Sequence, residues 1–107
     1  MTALRVLLVE DSPTDAKLVA RALQSTNCEV TLERVETAKA LRAALENGFW
    51  DVVLSDWSLP QFNARAALEI VKAIDVDLPF IIVSGTIGEE LAIEAMRAGA
   101  HDYVLKD

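Results

Sequence analysis

The sequence predicts an open, mostly parallel α/β sheet with helices on its faces, and three observations carry that expectation. Short β-branched or aromatic segments alternate with segments of helical spacing, from one end of the chain to the other. Three of the five strand-like segments are continuous apolar runs rather than alternating ones, the pattern of strands covered by helices on both faces. Helix start and stop residues fall between these segments, where right-handed crossovers would need them.

The strand-like segments are Leu4–Val9, Val30–Val35, Val52–Leu54, Phe80–Val83 and Tyr103–Leu105. Between the first two, Ala16, Val19, Ala20 and Leu23 form an apolar stripe, with Lys17, Arg21 and Gln24 on the far side. Ser12 followed by Pro13 reads as an N-cap with proline at the first helical position. A second stripe is Ala38, Leu41, Ala44 and Leu45, a third is Ala67, Ile70, Val71 and Ile74, and a fourth is Leu91, Ala92, Ala95 and Ala98. Thr86-Ile87-Gly88-Glu89 matches a capping box ahead of the fourth. Gly48 and Gly99 fall where helix C-termini favour a left-handed residue.

The 107 residues, 52% of them apolar and 25% charged, suit one soluble domain with a single core. Seventeen acidic residues against ten basic ones give a net charge of −7, which disfavours direct nucleic-acid binding. The longest apolar runs fall far short of the ~20 residues that span a bilayer, and Glu10 and Asp11 interrupt any signal-peptide core. The single cysteine, Cys28, has no internal partner for a disulfide and suits a reducing, cytoplasmic setting.

Ligands of open parallel sheets bind outside the carboxyl ends of the strands. Here those ends read Glu10-Asp11, Ser55-Asp56, Ser84-Gly85 and Lys106 on strands one, three, four and five. If those strands are neighbours, three carboxylates meet at one rim. At ~4 Å each pair repels by about 4 kcal/mol at an effective dielectric near 20, so a cation is needed to keep them ionised together. A hard divalent ion such as Mg2+ accepts all-oxygen ligation with open positions for phosphate oxygens. Lys106 adds positive charge opposite, Ser84 a hydroxyl donor, and Gly85 an unobstructed approach, so the fitting ligand is a phosphoryl group.

These residues resemble the receiver domain of two-component response regulators: Glu10-Asp11, Asp56 after Val52-Val53-Leu54-Ser55, Ser84-Gly85 after Ile81-Ile82-Val83, and Asp102-Tyr103-Val104-Leu105-Lys106. The resemblance runs from the first strand to the fifth. It implies a doubly wound, flavodoxin-like five-stranded parallel sheet of order 2-1-3-4-5. It also implies that Asp56 accepts a phosphoryl group from a phosphohistidine on a histidine kinase or phosphotransfer protein. Glu10, Asp11, Asp56 and the backbone carbonyl of Ser58 would hold Mg2+, while Lys106 and Ser84 contact the phosphoryl oxygens. Ser84 and Tyr103 would act as the switch that alters the face of the fourth helix and fifth strand. The domain would be a signalling unit rather than an enzyme.

Two features depart from the family. Asp107 stands where a proline commonly follows the lysine, and the sequence stops where receivers continue into a fifth helix. The expectation is therefore a receiver domain over 1–107 without that helix, with one sheet face resting on the first helix alone, so that the chain self-associates, as a homodimer or otherwise, or has low stability. Leu59-Pro60-Gln61-Phe62 and Gly85-Thr86-Ile87-Gly88-Glu89-Glu90 look like receivers attached to hybrid kinases or multidomain regulators. Two other classes stay open: a receiver-like interaction module without phosphotransfer, and a haloacid-dehalogenase-type phosphatase. The latter wants a second Asp where this chain has Ser58. His101 and Cys28 read as structural, Trp57 as packing or a shaper of site access, and Ile93 as ordinary surface or part of an output face.

Overall fold

A computed structural model of the chain describes residues 2–24, 28–56, 64–84, 94 and 96–105. The elements run β1 (Thr2–Val9), α1 (Pro13–Gln24), β2 (Cys28–Val35), α2 (Ala38–Asn47), β3 (Val52–Asp56), α3 (Ala64–Ile74), β4 (Phe80–Ser84) and β5 (Asp102–Leu105). The five strands form one sheet of order β2-β1-β3-β4-β5. Every pairing is parallel. Residues 94 and 96–98 are helical, and the remainder of the expected fourth helix, with its capping box, lies outside the described residues.

Apolar patterning explains the layers. Leu7, Val9, Val53, Phe80 and Ile82 point to one face, where they pack with Leu41, Ala44 and Leu45 of α2 and Ala67, Leu68 and Val71 of α3. Val6, Leu8, Leu54 and Val83 point to the other, against Ala16, Val19 and Leu23 of α1. Burying each large aliphatic or aromatic side chain stabilises the fold by about 1.5–3 kcal/mol. The α1 face is the thinner of the two among the described residues, and Val104 beside Val83 is exposed. The strand order reverses at β1, so α1 lies on one face and α2 and α3 on the other, and the carboxyl ends of β1 and β3 form the switch point at which sheets of this kind bind their ligands.

The caps fit, with one correction. The Ser12 hydroxyl accepts the Asp15 N–H at 3.2 Å, so α1 starts where Ser12-Pro13 placed it. Gly99 has a φ of 113°, the left-handed conformation expected at a helix end. Any Cβ there would also meet the Lys72 ammonium, which donates to the Ala98 carbonyl at 3.2 Å. Gly48 is different: it is extended, at φ −158°. The reason is that the Trp50 indole N–H donates to the Ala44 carbonyl at 2.9 Å, so a side chain caps α2 in place of a left-handed turn. In α3, Leu68 is buried and Ile74 is 44% exposed, so the core-facing stripe is Ala67, Leu68 and Val71 rather than the one that included Ile74.

His101 has a structural place. Its Nδ1 accepts the Phe80 N–H at 3.0 Å while its own N–H donates to the Phe80 carbonyl at 2.8 Å, which fastens β5 to the start of β4. Phe80 is fully buried, so its N–H has no ready substitute partner. His101→Ala is expected to cost about 1–2 kcal/mol in urea denaturation. His101→Asn, whose Oδ1 can stand where Nδ1 stood, should restore most of that loss.

Candidate functional site

The site is built where β1 and β3 end. Val9 and Ser55 are register partners, so Glu10 and Asp56 each lie one residue beyond a paired position on adjacent strands. Asp11 follows at the approach to α1. One carboxylate oxygen from each of Glu10, Asp11 and Asp56 lies within 4.8 Å of the others. Burial is graded across the cluster: Glu10 is 1% exposed, Asp56 is intermediate and Asp11 is exposed.

A buried carboxylate survives only if its charge is compensated. Glu10 Oε2 accepts the N–H groups of Asp11 at 3.1 Å and Ser12 at 3.5 Å, immediately ahead of the N-terminus of α1, where the helix dipole favours negative charge. The Glu10 N–H donates to the Val35 carbonyl at 3.0 Å, extending the β1–β2 ladder past the strand ends. Ser55 is fully buried on the opposite side of β3, and its hydroxyl donates to the Asp56 carbonyl at 3.2 Å. These contacts fix the Glu10 side chain and the Asp56 main chain and leave the like charges of the cluster to repel one another, by at most about 3–4 kcal/mol per pair where solvent does not screen them. Bringing one divalent cation among them would reverse the sign of that energy. The donor set is all oxygen and anionic, which suits Mg2+ or Mn2+.

Ser84 closes β4 one residue beyond Val83, the register partner of Asp56, so the backbone brings Ser84 to the same end of the sheet. Tyr103 pairs with Ile82 in β5. The side chains of Ser84 and Tyr103, and the whole of Ser58, Trp57, Gly85, Ile93 and Lys106, lie outside the described residues.

A family model described as the response regulator receiver domain matches residues 6–107. The chain belongs to the response regulator receiver family. Two of its curated relatives differ in how much of their length the chain spans. The two-component response regulator ARR2 of Arabidopsis thaliana is 36% identical over 104 residues, covering 96% of this chain but 15% of that protein. The chemotaxis protein CheY1 of Helicobacter pylori is 27% identical, over 96% of this chain and 85% of that protein. Among solved structures, the receiver domain of the sensor histidine kinase PA1611 from Pseudomonas aeruginosa has a TM-score of 0.78 at 25% identity, covering 98% of this chain and 86% of that one. That structure carries a magnesium ion coordinated in its active site cleft. Receivers are the phosphoacceptor signalling domains of two-component systems, and this chain is one of them.

One contributor to the site has no sequence signature. Arg34, the penultimate residue of β2, donates from Nη1 to the Glu10 carbonyl at 3.1 Å and to Glu36 Oε2 at 2.8 Å. Arg34 lies 24 residues from Glu10 along the chain, and the pairing of β2 with β1 brings the two together.

Proposed function

We propose that Asp56 is the phosphoacceptor of a two-component phosphorelay, and that the convergence of Glu10, Asp11 and Asp56 within 4.8 Å carries this assignment. Of the three, Asp56 combines intermediate burial with a position at the end of the central strand of the sheet. A carboxylate oxygen of Asp56 attacks phosphorus as the phosphorus–nitrogen bond of a phosphohistidine breaks and the imidazole leaves. The donor is a histidine kinase or phosphotransfer protein. Mg2+, held by Glu10, Asp11, Asp56 and the backbone carbonyl of Ser58, would neutralise charge on the phosphoryl oxygens. Lys106 and Ser84 bind those oxygens, and Ser84 with Tyr103 transmits the change to the fourth-helix and β5 face. The magnesium-bound PA1611 receiver supports the same choice of ion.

The chemistry ends at self-phosphorylation and self-dephosphorylation, so the domain is a switch rather than an enzyme with a free substrate, and it works in the cytoplasm. Among the described residues no helix is long and apolar enough to cross a membrane. Incubating the chain with acetyl phosphate and Mg2+ and measuring intact mass tests this reading. One base-labile phosphoryl adduct is expected, with uptake suppressed by EDTA. Sustained turnover of unrelated phosphate esters would favour a dehalogenase-type phosphatase, and no adduct with any donor would leave an interaction module.

A further inference from the structure

We infer that Arg34 is a positioning residue for the metal ligands, acting through the single peptide group that joins Glu10 to Asp11; this rests on the cation reading of the acidic cluster. A peptide unit is planar, so fixing its two ends fixes its orientation. Here the carbonyl end accepts from Arg34 Nη1 at 3.1 Å, and the N–H end donates to the Glu10 carboxylate at 3.1 Å. The preceding peptide is fixed as well, by the Glu10 N–H on the Val35 carbonyl at 3.0 Å. Two of the three acidic residues therefore flank one peptide plane, and Arg34 is the side chain that clamps it from outside the β1–α1 turn.

Arg34 is itself held. Glu36 Oε2 receives the same Nη1 at 2.8 Å, and the Arg34 side chain, 34% exposed, spans the gap to Glu10. A planar, always-charged guanidinium can serve both acceptors from one nitrogen. Glu36 also offsets its charge, which limits the repulsion a bare cation would exert on a second cation nearby.

Positioning and charge make opposite predictions. Were Arg34 acting on the site only through its positive charge, removing it would tighten cation binding. As a clamp, its removal frees the peptide to rotate and disperses the carboxylates, which weakens binding. Loss of groups that orient metal ligands typically costs roughly 10–100-fold in affinity, and a clamp on the main chain belongs at the low end, roughly tenfold.

The test is Mn2+ titration followed by electron paramagnetic resonance, which counts free ion without any phosphoryl donor, paired with thermal melts in EDTA. Arg34→Met should bind Mn2+ roughly tenfold more weakly than the parent chain. Arg34→Lys, which keeps a donor able to reach the Glu10 carbonyl, should restore at least half of that loss on a logarithmic scale. Glu36→Gln, which loosens the clamp but leaves its charge, should fall between the parent and Arg34→Met. Equal or tighter binding by Arg34→Met overturns the inference, as does weakened binding matched by an equally large drop in the EDTA melt that Arg34→Lys fails to rescue. Should the parent chain bind no Mn2+, the cation reading itself fails, an outcome distinct from the others. If Arg34→Met does not fold, the ranking of Arg34→Lys and Glu36→Gln against the parent decides.

Discussion

Asp56→Asn should abolish the phosphoryl adduct altogether. The substitution keeps the shape of the side chain and leaves β3 and its pairing intact, but an amide oxygen is a poor nucleophile and forms no stable acyl phosphate. Glu10 and Asp11 remain in place, so the loss measures the acceptor and not the cluster. Glu10 is a weak substitute, because it is 1% exposed and two main-chain N–H groups already hold its Oε2. With acetyl phosphate and Mg2+ the parent chain should take up one phosphoryl group and the variant none. Full-rate uptake by the variant would move the acceptor elsewhere.

A second large effect concerns stability and has a sign that identifies its cause. Without divalent ions, three carboxylates within 4.8 Å destabilise the folded chain. Asp56→Asn removes one of those charges without creating a cavity. Because Asp11 is exposed and solvent screens part of the repulsion, the expected gain is about 1 kcal/mol rather than the full pairwise sum. In EDTA the variant should therefore unfold at higher denaturant concentration than the parent. Mg2+ should change the order. Binding to the folded state alone adds about 2.7 kcal/mol when the ion is present at 100 times its dissociation constant. The parent should gain that increment and the variant little of it. Urea titrations of both chains, with EDTA and with Mg2+, give the four numbers. A variant less stable than the parent in EDTA contradicts the account of the cluster.

What the sequence made legible, and what it did not, follows from the range of the interactions. Periodicity is local, so β1 to β5 and the buried faces of α1 and α2 were readable from Val6-Leu7-Leu8-Val9, Phe80–Val83 and the Leu41, Ala44, Leu45 stripe. Boundaries were less so: β1 and β2 each begin two residues before the apolar pattern, because β1 pairs with β2 from Thr2 and Cys28 onward. Strand order came from family resemblance, since alternation alone does not order strands, and the register then placed Glu10 beside Asp56. The departures are all side-chain contacts across distant segments. Gly48 is extended because Trp50 caps α2, and His101 serves β4 through Phe80. Arg34 reaches Glu10 across 24 residues. None of these has a spacing that a single sequence displays.

The identity of the phosphorylated atom decides the central claim. Borohydride reduces an acyl phosphate to an alcohol, so aspartyl phosphate becomes homoserine at the modified position. After loading with acetyl phosphate and Mg2+, reduction and peptide sequencing by tandem mass spectrometry should find homoserine at position 56 and nowhere else. Homoserine at position 11, or a phosphoryl group that resists reduction because it sits on a hydroxyl or an imidazole, would contradict the assignment of Asp56 as the acceptor.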